Sequence, residues 1–222
     1  MEVAAEPGHP LVLQWLENQD FKLRTPSVVY ICAVSNENMK ALEWLYTSGY
    51  RCSGTTICDI AALSGNLPMI QWLREHGFSW SSTACSKAAS KGHLELLKWM
   101  HEHECPWNED SVISAARYGY LETLKWLINN GCPWSIDNLL LNAVRGGSIE
   151  VLEYSNTFPH IEWRKVHCQE AVFTENFEAL KWLIDKKCPW KADIFLSIVH
   201  RYAAKTSGKV LRWIKKQCIL LA

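Results

Sequence analysis

An aromatic residue returns along the whole chain at a nearly fixed interval, each time in the same local context. A fixed period in this range is typical of stacked supersecondary units, each of which packs mainly against its neighbours. Arrays of this kind present extended surfaces to other macromolecules, so the pattern favours a binding function over a catalytic one. The positions are Trp15, Trp44, Trp72, Trp99, Trp126, Tyr154, Trp182 and Trp213, at intervals of 29, 28, 27, 27, 28, 28 and 31 residues.

Each central unit contains a pair of small residues followed by a turn signal. Small side chains at one place in every unit predict a close approach between neighbouring helices. A glycine stands three residues after the pair in four units, where a helix is expected to end. The pairs are Ala61–Ala62, Ala88–Ala89, Ala115–Ala116, Ala143–Val144 and Ala171–Val172, and the glycines are Gly65, Gly92, Gly119 and Gly147.

A second segment with helical spacing follows the glycine and ends at a Cys-Pro-Trp sequence. Proline cannot continue a helix, and it forces the residue before it to be extended. The unit is therefore predicted to be helix, tight turn, helix, short loop. The apolar stripe is Leu94, Leu97, Trp99 and Met100 in one unit and Leu121, Leu124, Trp126 and Leu127 in the next, with Glu95, Lys98, Glu122 and Lys125 facing solvent. The expected N-caps of the first helices are Thr56, Thr83, Asp110 and Asn138.

These units resemble the ankyrin repeat family in their AAxxGHLExLKxL core and in the capping threonine before the small pair. An ankyrin unit has about 33 residues, so each unit here is about six shorter, and the deficit falls where ankyrin repeats carry a β-hairpin finger. The resemblance implies an all-α, ankyrin-like helix-turn-helix solenoid with shortened or absent β-hairpin fingers. The Cys-Pro-Trp units are similar to short repeats of giant DNA viruses, oomycetes and brown algae.

We expect a single repeat domain over residues 1–222, because every segment belongs to the same series. The terminal units are atypical, as is common for capping repeats. About eight units are predicted, at approximately 1–24, 25–53, 54–81, 82–108, 109–135, 136–163, 164–191 and 192–222.

The tryptophans offer a reason why such short units could be stable. Each ring can bury about 150–250 Å², which would replace the packing between repeats that a hairpin finger otherwise supplies. We therefore expect two buried columns, and a cost of about 3–5 kcal/mol for Trp99→Ala or Trp126→Ala. The columns would be Trp80, Trp107, Trp134 and Trp190, and Trp72, Trp99, Trp126 and Trp182.

Composition and cysteine usage indicate an intracellular protein. No stretch of 18 apolar residues occurs, and the N-terminus lacks the basic start and apolar run of a secretory signal. Nine cysteines fit a disulfide framework poorly. Cys105 and Cys132 occupy one repeat position, and stacked helices lie about 8–10 Å apart, whereas bridged Cα atoms lie within about 7 Å. We expect reduced, buried thiols and a cytoplasmic location, with nucleus, organelle or virion left open.

Neither a metal site nor a catalytic site is predicted. His101, His103 and Cys105 could begin a zinc site, but no second ligand pair follows nearby, and Cys105 is explained by its repeat position. No nucleophile–base arrangement is recognisable. We therefore expect a protein that is not an enzyme and has no cofactor.

The resemblance implies that a partner protein binds through the concave face, where side chains between the small pair and the glycine do not hold the core. Tyrosine and arginine among these side chains are typical of binding hot spots. The alternative is a structural subunit of a large assembly whose basic C-terminal end contacts RNA or an acidic surface; residues 176–222 hold 10 basic and 3 acidic side chains. The predicted partner-binding residues are Leu63, Ser64, Ser90, Lys91, Arg117, Tyr118, Arg145 and Phe173, and the cations of the alternative are Arg201, Lys205, Lys209, Arg212, Lys215 and Lys216.

Overall fold

A computed structural model describes residues 12, 14, 15, 18, 23–159 and 161–189 of the chain. In residues 23–159 and 161–189, every regular element is an α-helix, and the helices follow one another in pairs joined by short turns. They are α1 (Pro26–Ser35), α2 (Met39–Thr47), α3 (Thr56–Ser64), α4 (Leu67–Glu75), α5 (Ser82–Ala89), α6 (Leu94–Glu102), α7 (Glu109–Tyr118), α8 (Leu121–Asn129), α9 (Ile136–Gly146), α10 (Ile149–Ser155), α11 (Lys165–Phe173) and α12 (Phe177–Asp185).

The turn between the two helices of a pair depends on a residue in the left-handed conformation. The four predicted glycines occupy it, with φ between 71° and 79°, which a residue without a Cβ adopts at little cost. Glu37 and Glu175 take the same place in the pairs α1–α2 and α11–α12, with φ of 53° and 57°. The predicted helix-turn-helix unit is confirmed.

The loop between successive pairs contains no strand in the described part of the chain, which confirms the absence of a hairpin finger. The residue directly after the loop tryptophan caps the next helix. The Oγ of Ser81 accepts from the N–H of Thr83 at 3.3 Å, and the Oγ of Ser135 accepts from the N–H of Asn138 at 3.3 Å.

The predicted N-caps were therefore wrong by one to three residues. Thr56 is the first residue of α3, and Thr83, Asp110 and Asn138 lie inside their helices. Thr83 and Asn138 donate to the caps. Asp110 likewise donates its backbone N–H to the Oδ1 of Asn108, at 3.2 Å. In the three units with a loop tryptophan, the helix begins only two residues after that tryptophan, at Ser82, Glu109 and Ile136, which is earlier than predicted.

The core consists of the small pairs of the first helices and an apolar face of the second helices. All five predicted small pairs are at most 2% exposed, which confirms them. On α6 the buried residues are Leu96, Leu97 and Met100. The predicted stripe was therefore partly wrong, because Leu94 and Trp99 are only half-buried. Leu96, Leu97 and Met100 lie within about 100° of one another around the helix axis, whereas Trp99 is rotated by about 200° from Leu97.

The prediction of buried tryptophan columns was wrong. Within the described residues, Trp72, Trp99 and Trp126 are half-buried, and Trp134 is 36% exposed. Their rings stand at the edge of the core and contact one another and nearby side chains; the centroids of Trp80 and Trp99, for example, lie 6.0 Å apart. Leucine, alanine, valine and cysteine fill the interior instead. Trp190 lies outside the described residues.

Two compact units divide at Ser111 and Val112, and each is described by itself. In the first unit, α3 packs between α1 and α5, and each of these helices also contacts the second helix of its own pair. In the second unit, α9 packs on α11 and α10 contacts α12.

Backbone approach in the second unit is close enough to require glycine at one position. Gly146, the last residue of α9, lies against the carbonyl group of Arg117, and a Cβ added there would be 1.7 Å from that oxygen. The second unit thus brings the end of α7 and the end of α9 together. No helix of the described residues is long and apolar enough to cross a membrane.

Candidate functional site

The side chains at the first and second positions after the small pairs, called the row in each unit below, lie at or just beyond the C-terminal ends of the first helices. The next repeat fixes the backbone of this row. The imidazole Nε2 of His93 bonds the carbonyl oxygen of Leu63 at 3.2 Å, and the amide nitrogen of Asn176 donates to the carbonyl of Val144 at 3.1 Å. Hydrogen bonds from the next repeat thus hold backbone carbonyl groups at and beside the row.

In the first unit, the row consists of mostly small and polar side chains. Leu63 is 37% exposed and Lys91 is exposed. Ser64 and Ser90 are half-buried, and each hydroxyl donates to a carbonyl three residues back in its own helix, at 2.9 and 2.7 Å. The serine hydroxyls are thus engaged within the helix, and Leu63 and Lys91 are the most accessible members in this unit.

In the second unit, the row carries large side chains. Tyr118 and Phe173 are each 60% exposed, far more than a buried aromatic ring would be. Arg117 is also exposed. Arg145 is half-buried because its Nε contacts the Oε1 of Glu170 at 2.6 Å, in an ion pair whose side chains are 35% and 18% exposed. The four predicted partner-binding residues of this unit are therefore two exposed aromatic rings, one exposed guanidinium and one guanidinium held by the next repeat.

A cavity of about 240 Å³, called the loop pocket below, opens in the first unit between the loop after α2 and the loop after α4. The guanidinium carbon of Arg51 stacks 4.1 Å above the ring of Tyr46. The ring of His76 meets Tyr46 edge-on at 4.5 Å. The lining is Tyr46, Arg51, Cys52, Ser53, Gly54, His76, Gly77, Phe78 and Ser79, with no carboxylate among them.

A second cleft, of about 430 Å³, lies between α4 and the end of α6 and has the opposite charge. Its lining includes the carboxylates of Glu75, Glu102 and Glu104. Arg74 also borders it, but its guanidinium stacks 4.2 Å from the ring of Trp80 and donates to the carbonyl of Phe78. The first unit thus has two neighbouring recesses, one lined by a cation and one bordered by acids.

Six of the eight described cysteines are buried in the core, and Cys32 and Cys52 are half-buried. Burial raises the pKa of Cys58 to about 12 and that of Cys52 to about 11, so both stay protonated at neutral pH. The Sγ of Cys188 donates to the carbonyl of Arg164 at 3.4 Å, and Cys105 makes the corresponding contact with Ser81 at 3.7 Å. All eight described cysteines are free.

The histidines considered for zinc point to separate partners. His101 stacks on Trp107 with ring centroids 4.0 Å apart, and His103 stacks on Trp99 at the same distance. His103 also bonds the Trp99 carbonyl through Nδ1 at 2.8 Å. The two imidazole rings therefore pack against different tryptophans.

The six cations of the alternative interpretation, from Arg201 to Lys216, lie outside the described residues. The loop pocket is the feature that sequence reasoning missed. Arg51 follows Gly49 and Tyr50 as an ordinary loop residue, and no repeat spacing connects it with His76, which lies 25 residues later.

Comparisons with known proteins support the fold. A family model described as ankyrin repeats (many copies) matches residues 57–101, which run from α3 to α6. The chain is similar to the crystal structure of the human ASB11 ankyrin repeat domain, with a TM-score of 0.58 and 18% identity, over 72% of this chain and 83% of that chain. No curated protein matches the sequence. The chain therefore has the ankyrin repeat fold.

Proposed function

We propose that this chain, whose helix pairs have the ankyrin repeat fold, is a non-catalytic scaffold that binds a partner protein through the concave face of its repeats. The binding residues are those of the row, and recognition depends on shape and charge complementarity without chemistry on the ligand. The protein acts inside the cell, most simply in the cytoplasm. Its short Cys-Pro-Trp units resemble the abbreviated repeats of giant DNA viruses, oomycetes and brown algae, and we propose that they are of the same type.

The observation that carries the proposal is the exposure of Tyr118 and Phe173, each 60% accessible at the same turn of its repeat. These rings do not contribute to the core. Their removal from water when a partner covers them would therefore favour binding. Arg117 lies beside Tyr118, and arginine is also enriched at binding hot spots. Together they offer an apolar and cationic surface on a fixed backbone.

The test is affinity purification from the native cell lysate with mass spectrometry. The wild type is compared with the variant Lys91→Glu/Arg117→Glu/Tyr118→Ala/Phe173→Ala, with circular dichroism to confirm its fold. A matched control, Lys40→Glu/Lys181→Glu, reverses two charges at exposed positions of the second helices. We expect a partner that copurifies with the wild type and the control and is absent with the row variant. Equal partner profiles for the wild type and the row variant would remove the support for this proposal.

The alternative function rests on the charge distribution. Residues 176–222 hold 10 basic and 3 acidic side chains, although the whole chain is neutral. In that case the protein would be a structural subunit held by Arg201, Lys205, Lys209, Arg212, Lys215 and Lys216 against RNA or an acidic surface. Recovery of nucleic acid alone, removed by salt, would favour it.

A further inference from the structure

We propose that the loop pocket of the first unit binds a carboxylate that is attached to an apolar group, either on a small molecule or on a partner polypeptide. The lining of the pocket belongs to the segments 46–54 and 76–79, whereas the row residues of the first unit are Leu63, Ser64, Ser90 and Lys91, so the two surfaces share no residue. The inference therefore goes beyond the concave-face function and stands independently of it.

Arg51 supplies the charge. Its Nη1 donates to the carbonyl of Tyr46 at 2.7 Å and to that of Tyr50 at 3.1 Å, which fixes the plane of the guanidinium over the Tyr46 ring. These bonds use one nitrogen, and none of the ion pairs among the described residues involves Arg51. The other guanidinium N–H groups therefore remain for a ligand, and two of them on one edge match the two oxygens of a carboxylate.

Aromatic rings form the apolar wall. His76 stacks on Trp72 with centroids 3.9 Å apart, and its Nδ1 donates to the Trp72 carbonyl at 2.7 Å. A carbonyl oxygen only accepts, so Nδ1 is the donor in this bond, which holds the imidazole ring in place at the pocket wall. Phe78 is 7% exposed and contributes to the floor.

The charge balance selects a monoanion. The lining contains one guanidinium and no acidic side chain, and the hydroxyls of Ser53 and Ser79 add neutral hydrogen-bonding groups. Recognition of a phosphate dianion typically uses a cluster of arginines, which the lining lacks. A cavity of about 240 Å³ has room for a carboxylate with one ring or one short apolar side chain.

The experiment is a titration of the full ¹⁵N-labelled chain with sodium benzoate, followed by NMR. The amides of Gly54 and Gly77, which line the pocket, report binding directly. We expect saturable shifts of these two amides, with half-saturation at about 1–10 mM for so small a ligand. Benzamide, which has the same shape without the charge, should shift them at least about tenfold more weakly, since it cannot form the charge-assisted pair.

Variants separate the pocket from general electrostatics. Arg51→Gln should weaken benzoate binding about tenfold or more, whereas the matched control Lys40→Gln, which removes one exposed charge from α2, should leave it unchanged. His76→Asn should weaken it by a smaller factor without unfolding the repeat, because Asn130 makes the same bond to the carbonyl of Trp126 at 2.8 Å. Resonances outside the pocket verify that each variant is folded.

Two peptides distinguish the sources of the carboxylate. Acetyl-Ala-Ala-Phe presents a C-terminal carboxylate, and acetyl-Ala-Phe-Glu-Ala-amide presents a side-chain carboxylate. Tighter binding of either peptide than of benzoate identifies a polypeptide ligand, and tighter binding of benzoate identifies a small molecule. Equal responses to benzoate and benzamide, equal weakening by Arg51→Gln and Lys40→Gln, or shifts that never saturate would each overturn the proposal. None of these outcomes depends on whether the row binds a protein.

Discussion

At the scale of single residues, His167 couples helix capping to protonation. The side chain is 1% exposed, and its Nδ1 accepts the backbone N–H of Arg164, which caps α11, at 3.0 Å. Burial lowers the pKa of His167 and the neighbouring charge of Arg164 lowers it further, while Asp137 acts in the opposite direction. A protonated ring would lose the acceptor and leave a charge in the core.

Acid should therefore destabilise the protein through this residue. Because the pKa of His167 is lower in the folded chain than in the unfolded chain, the unfolded chain binds more protons between the two values. The free energy of unfolding should thus rise with pH across that window. The contribution is complete above about pH 6.5, the ordinary histidine value, and is lost as the pH falls toward the folded pKa.

The variant His167→Gln isolates this effect, because glutamine at the third helical position can accept the same N–H without titrating. We expect the urea midpoint of the wild type, measured relative to that of the variant, to fall between about pH 7.5 and pH 5. The other histidines are common to both chains and cancel in the comparison. Parallel pH profiles for the two proteins would show that His167 does not carry the dependence.

At the scale of the helix, the second helices have two different apolar positions. Leu97 is fully buried, whereas Trp99, two residues later, is half-buried and makes edge contacts with Trp80 and a stack with His103. Two residues correspond to a rotation of about 200° around the helix axis. The leucine therefore faces the small pairs, while the tryptophan covers the margin between repeats.

This difference in burial predicts which of two truncations lowers the free energy of unfolding more. Leu97→Ala should cost about 3–5 kcal/mol, since it leaves a cavity in the centre of the first unit. Trp99→Ala should cost only about 1–2 kcal/mol, because the ring removes roughly half of its area from water and solvent can fill the space. Urea unfolding followed by circular dichroism measures both. If Trp99→Ala destabilised the protein as much as Leu97→Ala, the result would support the buried tryptophan column predicted from the sequence.

The sequence predicted those helical features whose residues have one physical use. A small pair such as Ala88–Ala89 allows helices to approach, and a glycine such as Gly92 adopts a positive φ, so both were correctly assigned. Tryptophan is less specific, because its large ring and N–H suit a core or a partly wet margin equally well. The 27-residue period shows that Trp72 and Trp99 are equivalent, but equivalence does not reveal how deeply either is buried.

At the scale of the whole molecule, the sequence located the row but not the loop pocket. The row follows from repeat position, since Leu63 and Phe173 each come directly after a small pair. The pocket depends on the stacking of two repeats, which brings Arg51 and His76 together across 25 residues of chain. No other repeat has this pair of residues, so periodicity could not indicate it.

Salt dependence distinguishes the two functions proposed for the whole chain. Binding through the row involves exposed rings and few charges, so the dissociation constant of the partner complex should rise less than about tenfold between 50 and 300 mM salt. Six cations on single-stranded RNA would instead give a slope of about −4 in log affinity against log salt, a loss of about a thousandfold over the same range. Fluorescence anisotropy of the labelled protein with the purified partner, or with a 20-nucleotide RNA, measures both.

The variant Lys209→Gln/Arg212→Gln/Lys215→Gln/Lys216→Gln should leave the partner affinity unchanged. A steep slope that this variant flattens would transfer the function from the row to the basic end, because cations that neutralise nucleic-acid phosphates release bound counterions in that number.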